Sequence, residues 1–185
     1  MVRITTDDLS AYEVRKLEKN ERVESFDCGD ADLNDFIITE APYYRQALLA
    51  VTYVFVHKIT GQLIGYFSLA NDRISVTEFE DRTAFNRFRR RRFVNEKRIK
   101  SYPAVKICRF GIATSSHGYG FGSILLNFIK LHFLDDNKTG CRFLTVDAYL
   151  NAILFYERND FQHLKAHDED LATRLLFFDL SDIDE

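Results

Sequence analysis

Apolar and polar positions change their period several times along the chain, and each change predicts an element. Tyr12 to Leu17 mixes the two in a short strand-like way and gives out at the charged Glu18 to Glu21, a turn signal. Leu33, Phe36 and Ile37 then fall on one helical face, and Asp30 is placed to accept the first free N–H groups, so a helix begins near Asp30. Pro42 either breaks it or opens a second short helix through Tyr43 to Leu49, where proline's fixed φ suits a first turn. Val51 to His57 and Leu63 to Leu69 are β-branched and aromatic runs joined by Lys58 to Gln62, a glycine-containing connection of hairpin length, and read as two antiparallel strands.

Phe85, Phe88, Arg89 and Arg92 repeat at helical spacing, which predicts a helix followed by a loop up to Tyr102-Pro103, where proline favours extended chain. A long strand follows from Ala104 to Ala113. Ile124, Leu125, Phe128, Ile129, His132 and Phe133 form a clear helical face that ends at Asp135 to Gly140. Arg142 to Ala148 is a strand, Asn151 is placed to cap a short helix from Ala152 to Arg158, and Phe161 to Lys165 and Thr173 to Leu180 are closing strands around the polar Ala166 to Asp170 loop. The sum is a mixed α/β (α+β) fold: helices cover a mostly antiparallel sheet with one parallel pair bridged by the Ile124 to Phe133 helix.

Composition narrows the class. A chain of 185 residues, 46% hydrophobic and 14% aromatic, carries one domain, residues 1–185, with a substantial core, and no staples are needed. Cys28, Cys108 and Cys141 are odd in number and lack ligand spacing, which speaks against a disulfide framework and a zinc site. With no basic-plus-apolar leader and no long apolar run, the expectation is a soluble cytoplasmic protein with no membrane partner and no metal. The net charge of -3 hides an asymmetry: Arg82 to Lys100 holds nine Lys/Arg and one acid, so it carries +8 and the rest of the chain -11. Such a run either attracts a polyanion or forms the solvated face of a surface helix.

The chemistry centres on His117-Gly118-Tyr119-Gly120-Phe121-Gly122-Ser123, between the long strand and the clearest helix. Alternate glycines let backbone approach a bulky anion, and the following helix aims unpaired N–H groups and its positive dipole end at the same place. A tight turn with close helix–strand packing would need glycine equally.

Taken with Phe110-Gly111-Ile112-Ala113, Val146-Asp147-Ala148 and Asn151-Ala152-Ile153-Leu154-Phe155-Tyr156, this turn resembles the GNAT acyl-CoA-dependent N-acetyltransferases over nearly the whole chain. The resemblance implies a GNAT-like central sheet with a splayed parallel pair, and acetyl-CoA as cosubstrate. Its pantetheine arm would lie along Phe110 and Ile112 with Asn151 and Phe155 nearby, and its pyrophosphate on His117, Gly118, Tyr119, Gly120, Phe121, Gly122 and Ser123. His117 departs from the family's usual Gln or Arg, a modest loss where backbone N–H groups do the holding. The helix dipole adds about 0.5–2 kcal/mol. Tyr156 stands where family tyrosines act as general acid, and a phenol with a pKa near ~10 suits protonation of a leaving thiolate. Asn151 caps its helix, contacts the pantetheine, or does both. No general base is evident, with Asp147 open between a supporting and a structural role, and the acceptor is a primary amine of unidentified kind.

Phe26-Asp27-Cys28-Gly29-Asp30-Ala31-Asp32-Leu33-Asn34-Asp35-Phe36 and Gly65-Tyr66-Phe67-Ser68-Leu69-Ala70 are similar to the GNAT branch containing toxins that acetylate aminoacyl-tRNA. That similarity implies an aminoacyl-tRNA α-amine as alternative acceptor, a role for the basic segment on phosphates, and a ribbon-helix-helix antitoxin as partner. A small-molecule or protein amine, a homodimer, and a catalytically idle CoA- or nucleic-acid-binding module remain open alongside it.

Overall fold

The computed structural model describes residues 9–93, 99–135, 140–165 and 172–183. The expected loop Ala166 to Asp170, the stretch Val94 to Arg98 of the basic segment and the helix end at 136–139 lie outside them. Seven strands, β1 (Tyr12–Lys16), β2 (Val51–His57), β3 (Leu63–Ser75), β4 (Ser101–Ile112), β5 (Phe143–Tyr149), β6 (Gln162–His163) and β7 (Thr173–Asp179), form one sheet in the order β1-β2-β3-β4-β5-β7-β6. It is mostly antiparallel, with β4 and β5 the parallel pair. The helices are α1 (Ala31–Asp35), α2 (Ala41–Gln46), α3 (Arg82–Arg92), α4 (Phe121–Asp135) and α5 (Ile153–Glu157). The mixed α/β class expected from the periodicity is therefore the one observed.

The described chain gathers into two compact units, one from residues 9–70 and 107–131, the other from residues between 71 and 106 and from 132 onward. In the first, β2 is buried along Thr52 to Val56, so its side chains serve two cores. One face of β2 and β3 carries Tyr53, Phe55 and Phe67 toward α4, with Tyr53 and Phe67 stacked at 4.9 Å and Phe67 and Phe128 at 6.3 Å. The other face presents Val54, Val56 and Tyr66 to Leu17, Phe26, Phe36 and Ile37. Asp30 caps α1 by accepting from the Leu33 N–H at 3.0 Å, as its spacing predicts. The chain runs on through a π-helical turn, Phe36–Glu40, into α2, whose first turn contains Pro42. Tyr66 ties this region to the sheet: its hydroxyl donates at 2.6 Å to the Leu33 carbonyl, which also takes the Phe36 N–H.

Strand β3 runs six residues past the Leu69 predicted, to Ser75, because Ile74 and Ser75 are buried. In the second unit Ile74, Phe85, Phe88, Tyr102, Ala104, Phe143 and Phe177 make the core, and α3 lies on it through Phe85 and Phe88. The ladder between β4 and β5 is recorded from Ala104↔Phe143 to Lys106↔Thr145, and β5 pairs β7 from Phe143↔Asp179 to Tyr149↔Thr173. The strand expected over Phe161 to Lys165 shrinks to Gln162–His163.

Candidate functional site: a glycine turn at a helix start and a buried tyrosine

The turn is built in the first unit. Ala113 N–H donates to Ile64 at 2.8 Å, closing β4, and a 3-10 turn over Thr114–Ser116 follows, with Ser116 N–H on the Ala113 carbonyl at 2.8 Å. Gly118 and Gly120 then take φ of 81° and 85°, and a Cβ on either would meet nothing within 4 Å. These glycines answer to backbone conformation and leave open space above the turn. Phe121, the first residue of α4, is buried against Tyr12 at 5.0 Å and Phe55 at 5.4 Å, which fixes where the helix begins. Ile124 N–H reaches Gly120 at 3.2 Å, so the N–H groups of Phe121, Gly122 and Ser123 are the ones that helical geometry leaves without an acceptor within the helix. Tyr119 and Ser123 are exposed beside them. Backbone N–H groups aimed from a helix start into open space are chemically suited to receive an anion.

Further expected contacts take defined places. His117 is exposed, and its Nε2 lies 2.8 Å from the Ile112 carbonyl; since a carbonyl only accepts, Nε2 carries the proton. The imidazole thus braces its own turn. Phe110 and Ile112 are half-buried on β4, and Gly65 makes room for Ile112, whose Cδ1 would sit 2.6 Å from a Cβ there.

Asp27 is a structural tie that motif reasoning passed over. Its carboxylate accepts from Gly29 N–H at 2.9 Å, Asn34 Nδ2 at 3.2 Å and Thr114 Oγ1 at 3.3 Å, while its carbonyl takes the Thr114 N–H at 2.8 Å. The Gly29 N–H first, then Asn34, hold its carboxyl below the usual range. The available signal was Asp27-Cys28-Gly29, an aspartate two residues before a glycine that takes φ of 86°. A cavity of about 650 Å³ adjoins this strap, lined among others by Arg15, Glu24, Asp27, Val54 and Thr114. Burial pushes the Cys28 thiol up, which disfavours the thiolate.

In the second unit β5 passes through a 3-10 turn, Leu150–Ala152, into α5. Tyr156 is 5% exposed, flanked by Phe155 at 5.2 Å and Phe161 at 5.4 Å, and burial pushes its phenol well above the ordinary tyrosine value. It stays protonated throughout the physiological range, the form a proton donor needs. Asn151 requires a correction. The N-cap of α5 is Ala152, without any side-chain capping bond, and Asn151 sits exposed inside the 3-10 turn. Those three extra residues carry it one position too far from the helix to cap it. Phe155 is half-buried, and its carbonyl takes Asn159 Nδ2 at 2.8 Å, closing the C-terminal end of α5. Asp147 forms an ion pair with Lys106, and Thr145 Oγ1 donates to Asp72, so both carboxylates are engaged.

The arginine run is two-sided. Arg92 points inward: it lies 4.4 Å over the Phe88 ring, 4.9 Å over Phe177 and 3.4 Å from the buried Asp179. Arg142 reaches the same carboxylate at 2.8 Å. Arg87, Arg90 and Arg91 are exposed along the opposite face and line a shallow cavity of about 360 Å³ with Thr83 and Asn86. Among the described residues no group of His, Cys, Asp or Glu is placed to hold a metal ion, and no helix is long and apolar enough to cross a membrane.

No protein-family model and no curated protein matches the sequence. Solved structures do. A bacterial toxin superposes with a TM-score of 0.75 at 16% identity over 92% of both chains. A tyrosine-to-phenylalanine variant of KacT gives 0.73 at 21% identity, covering 93% of this chain and 96% of that one. AtaT complexed with acetyl-methionyl-tRNAfMet gives 0.73 at 20% identity, over 92% and 96%. This chain has the GNAT fold. The likeness is one of architecture, at an identity of 16–21%.

Proposed function

We propose that the chain is an acetyl-CoA-dependent N-acetyltransferase whose acceptor is the α-amine of an aminoacyl-tRNA. The observation that carries this reading is the near full-length likeness to AtaT, solved with acetyl-methionyl-tRNAfMet and, in AtaTR, with AcCoA at a TM-score of 0.73 over 94% of this chain. The open glycine turn at the start of α4 supports it independently. Acetyl-CoA, when bound, supplies the thioester. Gly118 to Ser123 would seat its pyrophosphate on the unpaired N–H groups and the helix dipole, and Tyr156 would give its proton to the departing sulfur as the amine takes the acetyl carbon; the proton shed by the amine nitrogen would pass to water, and the phenol would regain its own from solvent. An α-amine, less basic than lysine, is partly unprotonated at neutral pH and makes little demand on a base, in keeping with the engaged state of Asp72 and Asp147. The exposed Arg87, Arg90 and Arg91 supply a face for tRNA phosphates.

By the same reading a ribbon-helix-helix antitoxin is the partner, as AtaT is solved with the C-terminus of the antitoxin AtaR and KacTA with DNA. The test is incubation with labelled acetyl-CoA and separate pools of aminoacyl-tRNA, protein and small amines. Label recovered as acetyl-aminoacyl-tRNA is the expected result, and label confined to proteins or metabolites refutes the acceptor.

A further inference from the structure

A second cavity, of about 440 Å³, lies in the second unit between α3 and the segment leading into β4, lined by Val76, Arg82, Phe85, Asn86, Arg89, Ile99 and Lys100. Three of these are cations and none is an acid. Among the described residues Arg82, Arg89 and Lys100 have no carboxylate partner, and Arg89 Nε is buried without a hydrogen-bond acceptor. A buried guanidinium donor left unpaired is costly, and an anion held close to the guanidinium would offset that cost through its charge. Of the three, Arg82 and Lys100 lack the structural reasons that the other arginines of α3 have. Arg89, Arg90, Arg91 and Arg92 lie in the last turn of α3, where the dipole favours cations; Arg92 is held by Asp179, and Arg89 lies 6.0 Å over the Phe85 ring. Arg82 sits in the first turn, where the dipole disfavours a cation, beside an N-terminus that Asp81 already caps at 2.7 Å through Ala84 N–H. Lys100 is fixed at the opposite rim because Val76 N–H donates to its carbonyl at 3.1 Å.

We propose that this cavity is a phosphate subsite for the nucleic-acid acceptor, in which Arg82, Arg89 and Lys100 converge on one backbone phosphate and Val76 and Ile99 form an apolar wall for the sugar. The proposal rests on the reading of the acceptor as tRNA. It is tested by following the Arg89 Nε–H resonance while titrating tRNA or inorganic phosphate, and by measuring tRNA affinity between 50 and 200 mM salt, approximate working conditions for counterion release. With tRNA the resonance should shift. In R82Q/K100Q, which changes only exposed rim residues, affinity should fall about tenfold and the log–log salt slope by about 1, the value for roughly one lost phosphate. R89Q should do the same and serves as the second variant. A resonance that answers inorganic phosphate but not tRNA, or a salt slope unchanged in both variants, overturns the subsite. If tRNA moves the resonance but never receives acetyl label, the subsite stands and the acceptor reading fails. If acetylated tRNA forms while the resonance stays fixed, the subsite alone is refuted.

Discussion

Gly120 offers the cleanest perturbation of the proposed anion site. Its φ of 85° and the empty space above it mean that a side chain there is strained in backbone but not blocked by neighbours. Asn and Asp are nearly isosteric and both tolerate the left-handed region better than other residues, so Gly120→Asn and Gly120→Asp should share a similar stability cost, about 1 kcal/mol. They differ by one negative charge. At ~6 Å from a phosphate charge and an effective dielectric of ~20, that charge opposes binding by about 2.8 kcal/mol, about a hundredfold in Kd. Screening by salt erodes the gap, because the turn is exposed. Calorimetry of CoA binding to both variants, at about 50 mM and about 500 mM salt, gives the readout: the gap should be large at low salt and shrink toward threefold at high. Equal Kd values for the Asn and Asp variants at low salt would show that the pyrophosphate does not lie at this turn.

Tyr156→Phe should lower kcat for acetyl transfer by about 10²–10⁴ with CoA affinity nearly unchanged, and a fall under about threefold would leave Tyr156 as packing. Burial raises the Tyr66 and Tyr156 phenols, so the unfolded chain loses those protons first. Stability should therefore hold below pH ~10 and decline above it, and a Tyr66→Phe/Tyr156→Phe chain should show a shallower alkaline decline in Tm. Arg92→Gln leaves the buried Asp179 with Arg142 as its remaining arginine and should cost about 1–3 kcal/mol in urea unfolding, whereas Arg90→Gln should cost under about 0.5 kcal/mol. Replacing Arg87, Arg90 and Arg91 by Gln should raise KM for tRNA and flatten its salt dependence, and an unchanged slope would return this face to mere solvation.

What could be read in the chain divides along physical lines. The glycine turn, Asp30 as a cap, and the strand Val51–His57 are local statements, in which a residue type and its spacing determine the geometry, and the structure reproduces them; the strand expected over Thr173 to Leu180 ends one residue earlier, at Asp179. The failures occur where a distant partner decides. Asn151 reads as a cap because Asn favours that position, yet a 3-10 turn inserted after Tyr149 moves it off the helix. Nothing in the local pattern signals that turn. The π-helical widening at Phe36–Glu40 is equally silent, as is the nearby hydrogen bond that the Leu33 carbonyl takes from Tyr66, 33 residues further along the chain. Asp27 gains its role from Thr114, 87 residues away, although its Asp-x-Gly setting was in plain view.

The arginine run shows the limit most sharply, because there the composition is legible and the allocation is not. Nine cations in one segment pose a choice between polyanion binding and solvation as if the run were uniform. The helix sorts them by angle. Arg92 faces Phe88 and Phe177 and is held by Asp179, a residue the sequence places at the far end of the chain. Arg87, Arg90 and Arg91 face water, and Arg82 and Arg89 face a cavity completed by Lys100. A blanket substitution of Arg89 to Arg92 would therefore mix a folding defect, a cavity contact and a surface charge in one measurement. Only variants chosen by face separate the three. The physical question posed by the run becomes whether affinity for tRNA follows the exposed face, the cavity, or neither, and the two salt slopes answer it independently of any loss of stability through Arg92.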